Sequence, residues 1–256
     1  MSVLFGIYAL WYREIRVFFR EPSRIAAAVI SPVLWLLIIG GGFGSLVSFG
    51  NVSFLAFLYP GILVQLALST AVFFGLYIVW DKKIDFLKEV LVSPLPRAAV
   101  FFGKVIGGST DTMFQLAILL LLGCLLSSLG FMAVLPLSAP AIALLFAFLL
   151  VATAGFTGIG LVLGSRMDSP EGFQLIAGFL VTPLFFLSGA LFPIDNLPGW
   201  LIPFVLANPA TYAVDGLRGV LIGMHQFPAG LDFCVICLFS TVMILVGTYA
   251  FEKMRL

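Results

Sequence analysis

Six stretches of the chain, at about 25–47, 55–80, 98–128, 138–165, 172–192 and 231–251, are apolar over lengths that match a lipid bilayer. A helix needs about 20 apolar residues to cross a hydrocarbon core of about 30 Å. It is also the one open-ended element whose backbone hydrogen bonds close within lipid. The pattern therefore predicts an all-α integral membrane protein with six transmembrane helices, residues 1–256 forming a single membrane domain. Only 10% of the residues are charged, against about a quarter in soluble domains, so water is not the solvent of most of the chain. A formal net charge of +1 leaves no bulk attraction for nucleic acid.

Residues 1–22 read differently. Leu4, Phe5, Tyr8, Trp11, Tyr12, Ile15, Phe18 and Phe19 recur at helical spacing, while Arg13, Arg16 and Arg20 fall on another side. That is the pattern of an amphipathic helix lying in the membrane interface, broken at Glu21-Pro22. The apolar run that follows has no small-residue cleavage site, so no removed leader is expected. In a six-span arrangement, 12 of the 13 basic residues fall on one side. That side is cytoplasmic by the positive-inside rule, which puts both termini inside and leaves Arg218 outside.

Two segments outside the spans carry pattern of their own. In 81–97, Ile84, Leu87 and Leu91, with Phe86 and Val90 beside them, form one apolar face, and Asp85, Lys88 and Glu89 point elsewhere. Ser93-Pro94-Leu95-Pro96 then ends the helix. Such a helix suits either a groove on a soluble partner or the lipid interface. The external segment 193–230 is cut by five prolines into helical pieces near 198–206 and 209–223, too short to span. Asn208-Pro209 reads as an N-cap with proline at the first helical position, and Asp195 or Asn196 is placed to cap the earlier piece. Two re-entrant half-helices dipping into the outer leaflet are expected, with Asp215 and Arg218, three residues apart, paired on the second.

Glu89-Val90-Leu91-Val92-Ser93-Pro94-Leu95-Pro96-Arg97 resembles the E-L-L-x-[ST]-P segment of the ABC type-2 exporter permeases. Leu187-Ser188-Gly189-Ala190-Leu191-Phe192-Pro193, continuing to Leu197-Pro198, is similar to the same family's F-L-S-G-x-x-F-P-x-x-x-L-P. Asn208-Pro209-Ala210-Thr211-Tyr212, continuing to Asp215 and Arg218, is similar to its N-P-x-T-Y-x-x-D-x-x-R. Ala210 departs from the larger apolar residue common there, which touches packing rather than role. With the topology, the resemblance covers nearly the whole chain.

The resemblance implies a multi-pass permease of a prokaryotic inner membrane, functioning as a homodimer with two cytoplasmic ATPase subunits. ATP and magnesium would be bound by that partner and no cofactor by this chain. It implies that 81–97 is a coupling helix and that the N-terminal helix helps seat the ATPase, giving Arg13, Arg16, Lys83, Asp85, Leu87, Glu89, Leu91 and Pro94 roles in coupling. It also implies an external gate at Asn208, Pro209, Tyr212, Asp215 and Arg218. Phe179, Thr182, Phe185 and Phe186 in the fifth span would line the substrate route. The cargo expected is an amphiphilic, drug-like, lipid or glycan compound moved outward.

The residues bear independently on the same question. A phosphate-binding loop requires G-x-x-x-x-G-K-[ST]. Gly103-Lys104 comes nearest, but Ala98 and Val105 stand at the other two fixed positions, so the chain does not bind ATP by that device. Asp111 in the third span is read first as locally hydrogen-bonded through Ser109, Thr110, Thr112 or Gln115 and second as part of the substrate path, with Lys104, seven residues earlier on the same face, reaching it only partway. Cys124, Cys234 and Cys237 read as packing residues, and no metal site or hydrolytic motif is expected. The rival readings are a secondary transporter, which calls for coupled intramembrane acids or inverted repeats, and an intramembrane lipid-acting enzyme.

Overall fold

The computed structural model describes residues 3–44, 48–49, 52–92, 95–130 and 138–254. Helix α1, Val3–Arg20, is followed after Glu21 by α2, Pro22–Trp35. The two directions differ by 78°. Pro22 begins α2, so the break falls where Glu21-Pro22 predicts it. Four residues beyond Pro32 the helix widens into a π turn, Leu36–Gly40, and ends in a short α3, Gly41–Gly44. A two-residue antiparallel pair, β1 (Ser48–Phe49) with β2 (Val52–Ser53), is a departure from the all-α expectation. It delivers Ser53 to cap the next helix through Ala56 N–H at 3.3 Å.

The remaining helices are α4 (Phe54–Phe73), α5 (Leu76–Lys83), α6 (Phe86–Val92), α7 (Arg97–Ser128), α8 (Ala139–Arg166), α9 (Pro170–Phe186), α10 (Ile202–Ala207), α11 (Pro209–Ile222) and α12 (Ala229–Glu252). Four helical segments among the described residues are long and apolar enough to cross a membrane: Phe54–Lys83, Arg97–Ser128, Ala139–Arg166 and Ala229–Glu252. Of the other two expected spans, the first qualifies only together with α1, as a pair bent by 78°, and the fifth is shorter. The first is interrupted by the π turn. The fifth stops at Phe186 rather than 192, because Pro183 and a left-handed Gly189 (φ +71°) turn the chain out of the helix.

Helix α4 is apolar all round and is buried on almost every side, the behaviour of a central bundle helix. It packs against α7, α8, α9 and α11, while α12 packs mainly on α8. Small residues set the closest approaches. Gly75, at the break between α4 and α5, lies against the backbone of Gly160, and a Cβ on Gly164 would fall on the Gly75 carbonyl. Gly155 and Gly158 face Phe239, Ser240 and Met243 of α12 instead. The glycines of α8 therefore serve two seams rather than one face.

Two apolar clusters result. The larger follows α4, α7, α8, α9 and α11, and the smaller joins Leu10, Phe74, Ile78, Leu87, Val100, Phe101 and Phe251 at the end of the bundle that carries α1 and α6. That end also carries most of the described cations and is the basic end. Its charges close helix termini. Lys82 donates to the Ser165 and Met167 carbonyls at 2.8 and 3.0 Å, and Arg97 to those of Glu252 and Met254 at 2.9 Å each. Both place a cation on the orphan carbonyls of a helix C-terminus.

Candidate functional site

Helix α1 buries the stripe Gly6, Leu10, Glu14 and Phe18, and turns Leu4, Phe5, Tyr8 and Phe19 outward. The aromatic face thus looks away from the bundle, as an interfacial helix requires, but the inward stripe contains an acid. Glycines let α1 come close: a Cβ on Gly103 would sit 2.9 Å from Leu10 Cβ, and one on Gly107 2.9 Å from Glu14 Cβ. Trp11 Nε1 donates to Thr110 Oγ1 at 3.1 Å across the same seam.

At its centre is a buried ion cluster. Lys104 of α7 is fully enclosed and donates to Glu14 Oε1 at 2.7 Å and to Asp81 Oδ2 at 2.5 Å. Arg13 donates to Glu14 Oε1 at 2.7 Å and to Asp81 Oδ1 at 2.9 Å. Burial works against the Arg13 charge, but the two carboxylates outweigh it and raise its pKa. Two cations and two anions, each satisfied by charged partners, meet the condition under which a buried ionic group is tolerated. Arg13 also stacks over the Phe86 ring of α6, 3.9 Å from its centroid. One side chain therefore joins α1, α5 and α6 next to α7. Lys104, expected as an interfacial cation within partial reach of Asp111, instead turns toward α1 and α5.

The expected coupling helix is shorter and differently oriented than its pattern suggests. Asp85 takes a left-handed φ of +58° and breaks the helix, so Asp81, Lys82 and Lys83 extend α5 while α6 begins at Phe86. Leu87 is wholly buried and Val90 packs beside it, both against the bundle's own smaller core. Ile84 and Val92 are 64% and 87% exposed, and Lys83, Asp85 and Glu89 are exposed with them. The apolar face is thus divided: Leu87 anchors, and Ile84 and Val92 are presented. Arg16 lies on the exposed side of α1, its Nε donating to Tyr12 Oη at 2.9 Å. Pro94 lies outside the described residues, and of Leu91 only the helical backbone is described.

At the opposite end, the Asn208–Arg218 motif is a backbone clamp. Asn208 accepts from Ala210 N–H at 3.0 Å as the α11 cap, and its amide donates to the Leu184 carbonyl at 2.7 Å. Thr211 donates to the Val205 carbonyl at 2.8 Å and Tyr212 to that of Leu206 at 2.8 Å. Pro209 occupies the first turn of α11. Asp215 accepts from Gln226 N–H at 3.0 Å and Phe227 N–H at 2.9 Å, closing the loop that leads to α12. Arg218 donates to the Gly189 carbonyl at 3.0 Å and lies over the Phe57 ring at 3.8 Å. Burial pushes its pKa down to about 10, with Asp215 pulling the other way. The expected Asp215–Arg218 ion pair is absent from the contacts of both residues: each holds a different loop. Nor does Asp195 cap a helix; it accepts from Gln226 Nε2 at 2.9 Å.

The residues expected along a substrate path fall in three places. Asp111 is buried within α7, on the helix face that also carries Lys104 and Gln115. Phe185 is buried in the core, whereas Phe179, Thr182 and Phe186 lie on the outer face of α9. The residues that sequence reasoning missed are Glu14 and Asp81. The Gly103–Gly107 spacing marks a close helix contact on α7 but does not say which residues of α1 meet it.

A family model described as ABC-2 type transporter matches residues 6–222. The chain is 32% identical over 223 residues to a putative transport permease, ycf38, of Porphyra purpurea, covering 85% of this chain and 74% of that one. It is 26% identical over 246 residues to nodulation protein J of Rhizobium leguminosarum bv. viciae, covering 94% and 91%. It is 24% identical over 249 residues to the inner membrane transport permease YadH of Escherichia coli K12, covering 94% and 92%. With apolar helices long enough to cross a bilayer and a family match over most of its length, this multi-pass membrane protein belongs to the ABC-2 type transporter family.

Proposed function

We propose that the chain is the permease subunit of an ATP-driven exporter, acting as two copies with two separate ATPase subunits that hold ATP and magnesium. The basic end faces the cytoplasm, both termini lie there, and an amphiphilic, drug-like, lipid or glycan cargo is moved outward past re-entrant α10 and α11. The observation that carries this reading is Arg13. Its guanidinium rests on Phe86 of the exposed α6 while its nitrogens hold Glu14 and Asp81, which in turn hold Lys104 of α7. A push on α6 therefore reaches α1, α5 and α7 through one rigid group of charges.

The magnitudes are compatible. Converting a gate from 1:99 to 99:1 takes about 5.5 kcal/mol of differential binding, and breaking a buried ion pair costs about 3–5 kcal/mol. The linkage thus resists a load of that size better than a surface contact of about 1 kcal/mol or less. Helix α9 supports the dimer: it packs through the narrow stripe Phe173, Ala177, Val181 and Phe185 and turns Leu175, Ile176, Phe179 and Phe186 outward.

Reconstitution tests the reading. The purified chain alone is expected to be inert toward ATP. With its cognate ATPase in proteoliposomes, cargo is expected to change the hydrolysis rate, and transport to require ATP rather than a proton gradient. Transport by the isolated chain, or drive by a proton gradient alone, would overturn it.

A further inference from the structure

Between α2, α4 and α7 lies a cavity of about 250 Å³ lined by Ser31, Gln65, Ser69, Thr70 and Gln115, with Phe73 at its side. Gln115 is the nineteenth residue of α7, about 27 Å along a helix of about 48 Å at 1.5 Å per residue, so the cavity sits near mid-membrane. Its side chain is fully buried. Thr70 Oγ1 donates to Gln115 Oε1 at 3.1 Å, while Gln115 Nε2 and Gln65 Oε1 have no hydrogen-bond partner among the described residues. Turning the Gln115 amide over changes which end meets Thr70 and still leaves the other end without a partner. An unsatisfied amide at this depth costs several kcal/mol, and polar side chains kept inside a membrane mark ligand routes.

The surroundings define what fits. Among the described residues no charged side chain lines the cavity, so an ionic group entering it would be desolvated without a counter-ion from them. At about 30 Å³ per water, the space equals about eight waters, room for one small polar headgroup. At Ser31 the cavity meets an apolar groove along α2 of about 600 Å³, lined by Ile30, Leu34, Trp35 and Ile38. At Phe73 it meets a cavity of about 480 Å³ at the basic end, where Arg13, Glu21 and Asp81 lie. A polar chamber beside an apolar groove has the shape of one ligand, a head and a tail.

We infer that this chamber binds an amphiphile through an uncharged, hydroxyl- or amide-bearing headgroup. Gln115 donates to the headgroup, Gln65 accepts from it, and the tail lies along α2. The assignment of this ligand as cargo rests on the exporter reading; the binding itself does not.

The test uses the full chain in phosphatidylcholine nanodiscs with radiolabelled decyl glucoside as probe, and with decyl sulfate and decyltrimethylammonium as chain-matched competitors. Saturable binding is expected, with weak competition by either charged amphiphile. Gln115→Leu should weaken it about tenfold, the worth of one to two hydrogen bonds. Gln65→Met should weaken it in the same direction, which keeps the test decisive if Gln115→Leu does not fold. Leu238→Ala, on the exposed side of α12, should leave it unchanged. Unsaturable uptake, equal competition by charged amphiphiles, or full binding in both glutamine variants would overturn the inference. Gln115-dependent binding that leaves ATP hydrolysis by the complex unchanged would remove the ligand as cargo while leaving the chamber standing. Normal transport of another compound with no glucoside binding would do the reverse.

Discussion

The Lys104 ammonium lies 2.7 Å from Glu14 Oε1, across 90 positions of sequence, with neither side chain more than 2% exposed. A lysine that deep in α7 is tolerated because Glu14 and Asp81 both accept from it. Arg13 then balances the second negative charge. The N-terminal helix is thereby fixed to the bundle by charge as well as by the Leu10 and Phe18 contacts.

Removing the lysine leaves two buried carboxylates facing one arginine. Lys104→Met is expected to destabilise the protein by about 3–5 kcal/mol, read as a lower thermal midpoint in detergent. Adding Asp81→Asn should restore at least half of that loss, because the group left unpaired is then neutral. An unchanged midpoint for Lys104→Met would show that the cluster does not hold α1 in place.

The α1–α7 approach depends on Gly107, where a Cβ would meet Glu14 Cβ and Cγ at 2.9 Å. Gly107→Leu should displace α1. Cysteines introduced by Trp11→Cys and Thr110→Cys, in a chain with Cys124, Cys234 and Cys237 replaced, should be bridged readily by a short bifunctional thiol reagent when Gly107 is kept. The same pair should cross-link at least several-fold less with Gly107→Leu. Equal cross-linking would mean that the helix accommodates the side chain without moving.

Long spans are legible from sequence because length and apolarity both report on the same solvent. The expected 98–128 and 138–165 fall within one residue of Arg97–Ser128 and Ala139–Arg166. Asn208 is a recognisable cap because capping is decided by the next few residues. Glu14 was not legible, since one acid beside Arg13 and Arg16 looks like part of a solvated face, and its partners lie in other helices. Leu87 makes a related point: periodicity shows that a face is apolar, not which body covers it. In the Asp215–Arg218 segment the spacing suggested a local pair. The cost of leaving backbone groups at 189, 226 and 227 unpaired outweighed it.

That distinction can be measured. If Asp215 and Arg218 hold separate loops, exchanging them by Asp215→Arg with Arg218→Asp cannot restore either. The double variant should be at least as destabilised as the worse single one, each hydrogen bond to a charged group being worth about 1.5–3 kcal/mol. Asp215→Asn keeps one acceptor oxygen for Gln226 or Phe227 N–H and should be milder than Asp215→Ala. Recovery in the exchanged double variant, by thermal unfolding, would reinstate a direct pair.

The divided face of α6 gives the sharpest separation of folding from coupling. Leu87 is fully buried, so Leu87→Ala should cost about 2–5 kcal/mol of stability. Ile84 and Val92 are exposed, and Ile84→Ala and Val92→Ala should move stability by no more than about 0.5 kcal/mol. If the ATPase grips this surface, the same two substitutions should weaken assembly or cargo-dependent ATP hydrolysis several-fold while the permease alone unfolds normally. Because the stability and coupling readouts diverge at these positions, the outcome does not depend on how well the variants fold. Full coupling in the Ile84→Ala and Val92→Ala double variant would move the contact elsewhere on the basic end, with the exposed Arg16 on α1 the next place to look.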